Sequence, residues 1–147
     1  MPTDTAERTV VVAAPYTQVL ATIRDVASQV DWIPEIRSVE VLESDARGRP
    51  LRARLKASAT VGTDEYTLAY EYPAHGLSWT MLEGKLQTGQ EGRFALAKGG
   101  PTHTEVSYRL TIHHNLPLPG FVRRRVIQGL VDDTLGGLQQ RFAGRAA

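Results

Sequence analysis

His114 is the side chain in this sequence best suited to move a proton. It continues the parity of Leu110 and Ile112 along the alternating stretch 104–114, and so faces whatever packs on that side. An imidazole titrates near neutrality, which suits a general acid or base; the other reading is a histidine that caps a turn at the rim. His113 has the opposite parity and points to solvent. His75 and His103 fall in turns at no ligand spacing, so no metal site is expected. Tyr66, Tyr70, Tyr72 and Tyr108 share apolar faces with Leu68, Leu110 and Ile112, where their rings either fill a core or offer hydroxyls to a bound carbonyl or phenol.

Acidic and basic candidates are fewer. Glu83 follows Trp79 and Met81 in parity, and a carboxylate turned inward there needs a partner or a raised pKa. Asp31 and Glu35 flank Trp32 and Pro34; they form an acid–base pair or cap helix ends, and no catalytic role is assigned to them. Arg52, Arg54 and Lys56 alternate on the wet side of one strand, which is a solvated face unless an anion docks on it. Arg123, Arg124 and Arg125 stand where the last helix begins. The helix dipole favours negative charge there, so these cations point to a partner or an anionic ligand near a pocket mouth. No phosphate loop, nucleophile elbow or metal-ligand cluster is present, and no cofactor is expected.

The elements that position these residues follow from periodicity. Residues 9–13 form a β-branched run that reads as a first strand, with 1–8 as a flexible N-terminal tail. Pro15 suits a first helical turn. Val19, Leu20, Ile23, Val26, Ala27 and Val30 then recur at helical spacing, and residues 32–36 read as a bend followed by a second short helix. Strands follow over 39–43, 51–61, 66–72, 77–83, 90–98 and 104–114, separated by Gly-, Pro- and Asp-bearing turns. Such regular punctuation predicts an antiparallel meander. One long amphipathic helix runs from Pro119 to about Arg145, with Phe121, Ile127, Leu130, Val131, Leu135, Leu138 and Phe142 as its apolar stripe. Gly129, Gly136 and Gly137 interrupt it at up to about 1 kcal/mol each relative to alanine. Close approach to the sheet, a bend, or room for a ligand are the readings that offset that cost.

Bulk properties narrow the class. A chain of 147 residues fits one domain, 1–147, large enough for a real core. A net charge of +1 argues against a nucleic-acid partner. Without cysteine, neither disulfides nor thiolate metal sites are available, which suits a cytoplasmic location. No apolar leader segment follows the polar start, and the longest apolar run, 10–15, is too short to cross a bilayer, although transient membrane contact stays open. Oligomeric state is not legible.

In order, then, the elements are a strand, two short helices, six strands and a long terminal helix. This layout resembles the SRPBCC superfamily, also called START-like or helix-grip. Within it, it is similar to the polyketide cyclase/dehydrase and lipid-transport group common in actinobacteria. The residues that carry the resemblance are 10–15, 31–36, 39–43, 64–70, 79–84 and the Leu116-Pro117-Leu118-Pro119-Gly120 lead-in to the last helix. The resemblance implies an α+β fold, a curved antiparallel sheet of about seven strands around the terminal helix, with a hydrophobic cavity between them. Its expected walls are Tyr66, Leu68, Tyr70, Trp79, Met81, Phe94, Tyr108, Leu110 and Ile112 from the sheet, and Ile127, Leu130, Val131 and Leu135 from the helix. Three functions stay open. One is a carrier or sequestering protein for a lipid, isoprenoid or polyketide-like aromatic; another is a cofactor-independent aromatase/cyclase or dehydrase using His114 and tyrosine hydroxyls; the third is a protein-interaction module.

Overall fold

The computed structural model describes residues 3–59 and 62–143. Strand β1 (Thr3–Val12) leads through α1 (Tyr16–Arg24), a single 3₁₀ turn (Val26–Ser28) and α2 (Gln29–Trp32) into β2 (Ile36–Ser44). Strands β3 (Pro50–Ala59), β4 (Gly62–Glu71), β5 (Gly76–Gly84), β6 (Gln87–Lys98) and β7 (Thr104–His114) follow, and α3 (Gly120–Ala143) is the last described element, the helix end expected near Arg145 lying outside the described residues. All pairings are antiparallel, in the order β1-β7-β6-β5-β4-β3-β2. The first and last strands are therefore neighbours, and the α1–α2 segment crosses from one sheet edge to the other. This is the expected α+β helix-grip arrangement.

Alternation decides which face is buried. On β6, Gln90, Gly92, Phe94 and Leu96 turn inward, and on β7 so do Val106, Tyr108 and Leu110. Phe94 stacks on Tyr108 at 4.5 Å and meets Trp79 at 5.6 Å and Trp32 at 6.2 Å, so aromatic rings from β5, β6, β7 and α2 form the centre of the core. On the outer face the two arginines of β3 are paired across the strands: Arg52 with Glu43 at 3.0 Å and Arg54 with Glu40 at 3.3 Å. That is a solvated face rather than an anion-docking one.

Several boundaries differ from expectation. Residues 1–8 are not a tail: β1 starts at Thr3, pairing with His113, and only residues 1 and 2 lie outside the described region. The polar types of this stretch hid a strand whose inward positions are Asp4, Ala6, Val10 and Val12. The helix expected through Val30 breaks at Asp25 (ψ 80°), and the Ser28 hydroxyl donates to the freed Asp25 carbonyl at 2.7 Å. The second short helix thus precedes the Trp32–Pro34 bend instead of following it. Phe121 leaves the helical stripe and is 62% exposed.

Among the three helical glycines, Gly137 has a clear packing reason. A Cβ there would fall 1.8 Å from the Trp32 carbonyl oxygen, so only glycine lets α3 press against the end of α2. A Cβ on Gly129 or Gly136 would meet nothing within 4 Å.

Candidate functional site

Where β1, β2, β4 and β6 begin and β3, β5 and β7 end, the sheet and α3 part to leave a cavity of about 150 Å³. That is the scale at which an apolar protein cavity admits one aromatic ring. The sheet contributes Tyr66, Leu68, Tyr70, Trp79, Phe94, Tyr108, Leu110 and Ile112 to its wall; α3 contributes Ile127 and Leu130, joined by Val126 and Thr134. Leu86, Leu116 and Leu118 come from the connections at this end. His114 belongs to the wall as expected from its parity.

Three expected wall residues do not reach the cavity. Val131 and Leu135 are fully buried, but in solid packing where α3 lies against the sheet. Cavity-facing Ile127, Leu130 and Thr134 and core-facing Val131, Leu135 and Leu138 form two neighbouring stripes of one helix, about 75° apart. Met81 is half-buried with its thioether folded over Gly84, whose added Cβ would meet the sulfur at 2.9 Å. Just beyond it the register shifts: Leu68 pairs with Met81 but Thr67 with Glu83, leaving Leu82 as an extra residue. A one-residue slip reverses the face, so Glu83 turns outward, accepting a 3.4 Å hydrogen bond from the Thr67 hydroxyl, rather than inward.

Trp79 is seated by its neighbours. Its indole N–H donates to Gln90 Oε1 at 2.8 Å, and its ring lies over Gly92, where a Cβ would fall 2.3 Å from Cζ2. Gln90 in turn donates to Gln87 at 2.8 Å, and Gln87 Nε2 to Asp64 at 3.0 Å. Asp64, itself buried, also accepts the backbone N–H groups of Glu65, Lys85 and Leu86. This chain ties the β5–β6 connection to the start of β4 and fixes the floor of the site.

Polar groups meet the cavity in two places. In the first, His114 (5% exposed) and Asp4 (8%) are bonded at 2.8 Å from Nε2 to Oδ2, and Arg123 Nε donates to the same Oδ2 at 3.1 Å. The Leu116 N–H donates to His114 Nδ1 at 3.2 Å, so a neutral ring carries its proton on Nε2 and gives it to Asp4. Arg123 also reaches the Leu118 carbonyl at 3.0 Å, which turns it inward, while Arg124 and Arg125 remain exposed. Burial by itself raises the Asp4 carboxyl, but the His114 bond and the Arg123 charge outweigh it and hold the group below the usual aspartate range.

The second place is left open. Glu35, at the turn between α2 and β2, lines the cavity with a buried Oε2 that has no hydrogen-bond partner among the described residues. Burial pushes its pKa up to about 7. A backbone hydrogen bond opposes the rise, a side-chain hydrogen bond and the charge of Asp133 on α3 add to it, and Arg37 opposes it, while Oε2 itself stays open. Tyr70 lies deeper, 4% exposed, with an unpartnered hydroxyl. Burial drives the phenols of Tyr66, Tyr70 and Tyr108 upward, so all three are neutral donors. Glu35 and Asp4 were within reach of sequence reasoning: Asp4 shares the parity of Val10 and Val12, and Glu35 abuts the inward Ile36. Asp31, by contrast, is exposed.

The other histidines stand apart: His113 bonds Glu91 at 2.9 Å and Thr3 at 2.9 Å on the outer face, and His75 meets the Tyr16 hydroxyl. Among the described residues no group of three or more His, Cys, Asp or Glu side chains is placed to hold a metal ion, and no helix is long and apolar enough to cross a membrane.

A curved seven-stranded sheet gripping a long terminal helix over an apolar cavity defines a START-like ligand-binding fold. The chain matches the family described as polyketide cyclase/dehydrase and lipid transport over residues 3–143, and it belongs to that family. A START superfamily protein from Mycobacterium smegmatis is 26% identical, with a TM-score of 0.87 over 93% of this chain and 95% of that one. The Zhui aromatase/cyclase from Streptomyces sp. R1128 shares the fold at 19% identity (TM-score 0.76, 99% and 94% covered). TTHA0849 from Thermus thermophilus does so at 23% (TM-score 0.78, 99% and 100% covered). Comparison with functionally curated proteins finds no match.

Proposed function

We propose that the protein binds a small hydrophobic molecule between the sheet and α3 and acts as its carrier or sequestering protein. The observation that carries this reading is the cavity itself: about 150 Å³ walled by Tyr66, Leu68, Trp79, Phe94, Leu110 and Ile127. A well-packed core leaves few voids larger than a water molecule, so an apolar space of this size supports a ligand-binding role. Its volume favours a single ring or a short chain over a long acyl lipid, which would need the wall to expand. Native mass spectrometry of protein purified from its own host, followed by solvent extraction, tests the reading. A retained apolar species of fixed mass supports a carrier; protein that emerges empty at every concentration argues against one.

A second reading rests on the buried His114–Asp4 pair at the cavity wall. In an aromatase/cyclase or dehydrase, holding a reactive chain in one pose supplies much of the rate, and a histidine–carboxylate pair adds proton transfer. Zhui is such an enzyme by name. Here, however, the Leu116 N–H occupies the Nδ1 lone pair that a general base would use. His114→Ala separates the readings. Lost turnover with ligand affinity retained supports catalysis; lowered stability with no change in turnover supports a structural role.

A further inference from the structure

Among the described residues only three buried side-chain polar atoms lack a partner: Glu35 Oε2, the Tyr70 hydroxyl and Arg141 Nε. Two of the three belong to residues that line the cavity. A buried oxygen without a hydrogen bond is a net cost to the folded chain, and a ligand that completes the bond removes that cost. The polar groups around these two are already engaged. Gln90 takes the Trp79 N–H and bonds the Tyr66 hydroxyl, and Asp4 holds both His114 and Arg123. Arg123 is also the one arginine or lysine among the described residues of the cavity wall, and its guanidinium is spent on Asp4 and the Leu118 carbonyl. An anionic ligand would therefore find no free cation among these wall residues and would face a second carboxyl at Glu35, backed by Asp133.

We propose that the cavity selects neutral, hydroxyl-bearing apolar molecules, accepting a hydrogen bond on the Glu35 carboxylate and donating one from the Tyr70 hydroxyl, and that it rejects the corresponding carboxylates. A phenol or alcohol offers both functions in one group, an O–H to donate and lone pairs to accept. Glu35 and Tyr70 both line this one cavity, and Tyr66 and Tyr108 of the same wall stand within electrostatic reach of each. Besides burial, the charged groups that act on Glu35 are Asp133 from α3 and Arg37 from β2. This selectivity rests on the ligand-binding reading above.

Three one-ring probes that differ in a single substituent test it: ethylbenzene, 4-ethylphenol and 4-ethylbenzoate, titrated at pH 8.5 into the intact protein with amide NMR shifts as the readout. The expected order is 4-ethylphenol at least about tenfold tighter than ethylbenzene, as a hydrogen bond to a charged group gives, with 4-ethylbenzoate weakest. Glu35→Gln and Tyr70→Phe should each cut the preference for the phenol over ethylbenzene several-fold. Glu35→Gln should also improve 4-ethylbenzoate binding. Both substitutions nearly keep size, and the dispersion of the amide spectrum checks folding in each variant. Equal wild-type affinity for ethylbenzene and 4-ethylphenol overturns the selectivity while leaving the cavity reading standing. So does a preference that survives both substitutions. Failure of all three probes to move cavity resonances overturns both.

Discussion

Two polar corners share one cavity, and they differ in how completely they are satisfied. At the β1–β7 edge, Asp4, His114 and Arg123 form a closed set: imidazole and guanidinium share one carboxylate oxygen, and the backbone of Leu116 and Leu118 completes the set. Glu35 at the α2–β2 turn and Tyr70 on β4 each keep a buried oxygen without a partner among the described residues. Both corners hold an acid in a mainly apolar wall, yet their carboxyls move in opposite directions, Asp4 down and Glu35 up. Burial raises both, but at Asp4 the His114 hydrogen bond and the Arg123 charge outweigh it, whereas at Glu35 it prevails and Asp133 adds to it. The closed corner belongs to the fold. The open corner is where a ligand has something to complete.

The sharpest way to break this comparison is to unbalance the closed corner. Asp4→Ala leaves His114 and Arg123 buried against each other without their shared acceptor, and should cost about 3–5 kcal/mol in urea denaturation. A loss below about 1 kcal/mol would mean the cluster is no more structural than a surface pair. Gly137→Ala comes next. Although alanine is the better helix former, its Cβ collides with the Trp32 carbonyl and pushes α3 away from the Glu35 turn, an expected loss of about 1–3 kcal/mol. Gly129→Ala on the same helix meets nothing and should gain up to about 1 kcal/mol. Equal effects at the two sites would contradict the close approach.

At the open corner the expected stability changes are small and of opposite sign. Tyr70→Phe removes a hydroxyl that bonds to nothing, so the empty protein should hold its stability or gain about 1 kcal/mol, read from the same denaturation curves. The pH dependence separates the corners further. Glu35 is raised from 4.5 to about 7, so its contribution is fully present below 4.5 and is lost as pH rises through 7. Asp4 is lowered from 3.8, so its contribution is present above 3.8 and is lost as pH falls through its folded value. Glu35→Gln should flatten the decline between pH 4.5 and 7 and leave the acid limb alone, whereas Asp4→Asn should do the reverse.

Much of this architecture is legible in alternation alone. Tyr66, Leu68, Tyr70, Trp79, Phe94, Tyr108, Leu110 and Ile112 stand on the cavity side because strand parity is strict where no bulge intervenes. Met81 and Glu83 show the limit. An extra residue at Leu82 exchanges the faces, and nothing in the local residue types announces it. Helical spacing places Val131 and Leu135 inside, but the same spacing serves cavity and solid core alike, so it does not tell them apart. The two carboxyls are harder still. Asp4 lies in a polar stretch whose inward parity shows only once Val10 and Val12 are extended backwards, and Glu35 acquires its character from burial in the folded chain, with Asp133, far along on α3, adding to it. Charge environment is a tertiary property, and a single sequence read locally does not contain it.

The most direct test of the account is a carboxyl ¹³C NMR titration of Glu35 in the full protein, with and without 4-ethylphenol. The account predicts a midpoint near 7 in the empty protein that falls when the phenol binds, because the ligand donates to the ionised carboxylate. A midpoint at the ordinary glutamate value, or one that stays in place at saturating phenol, would contradict it.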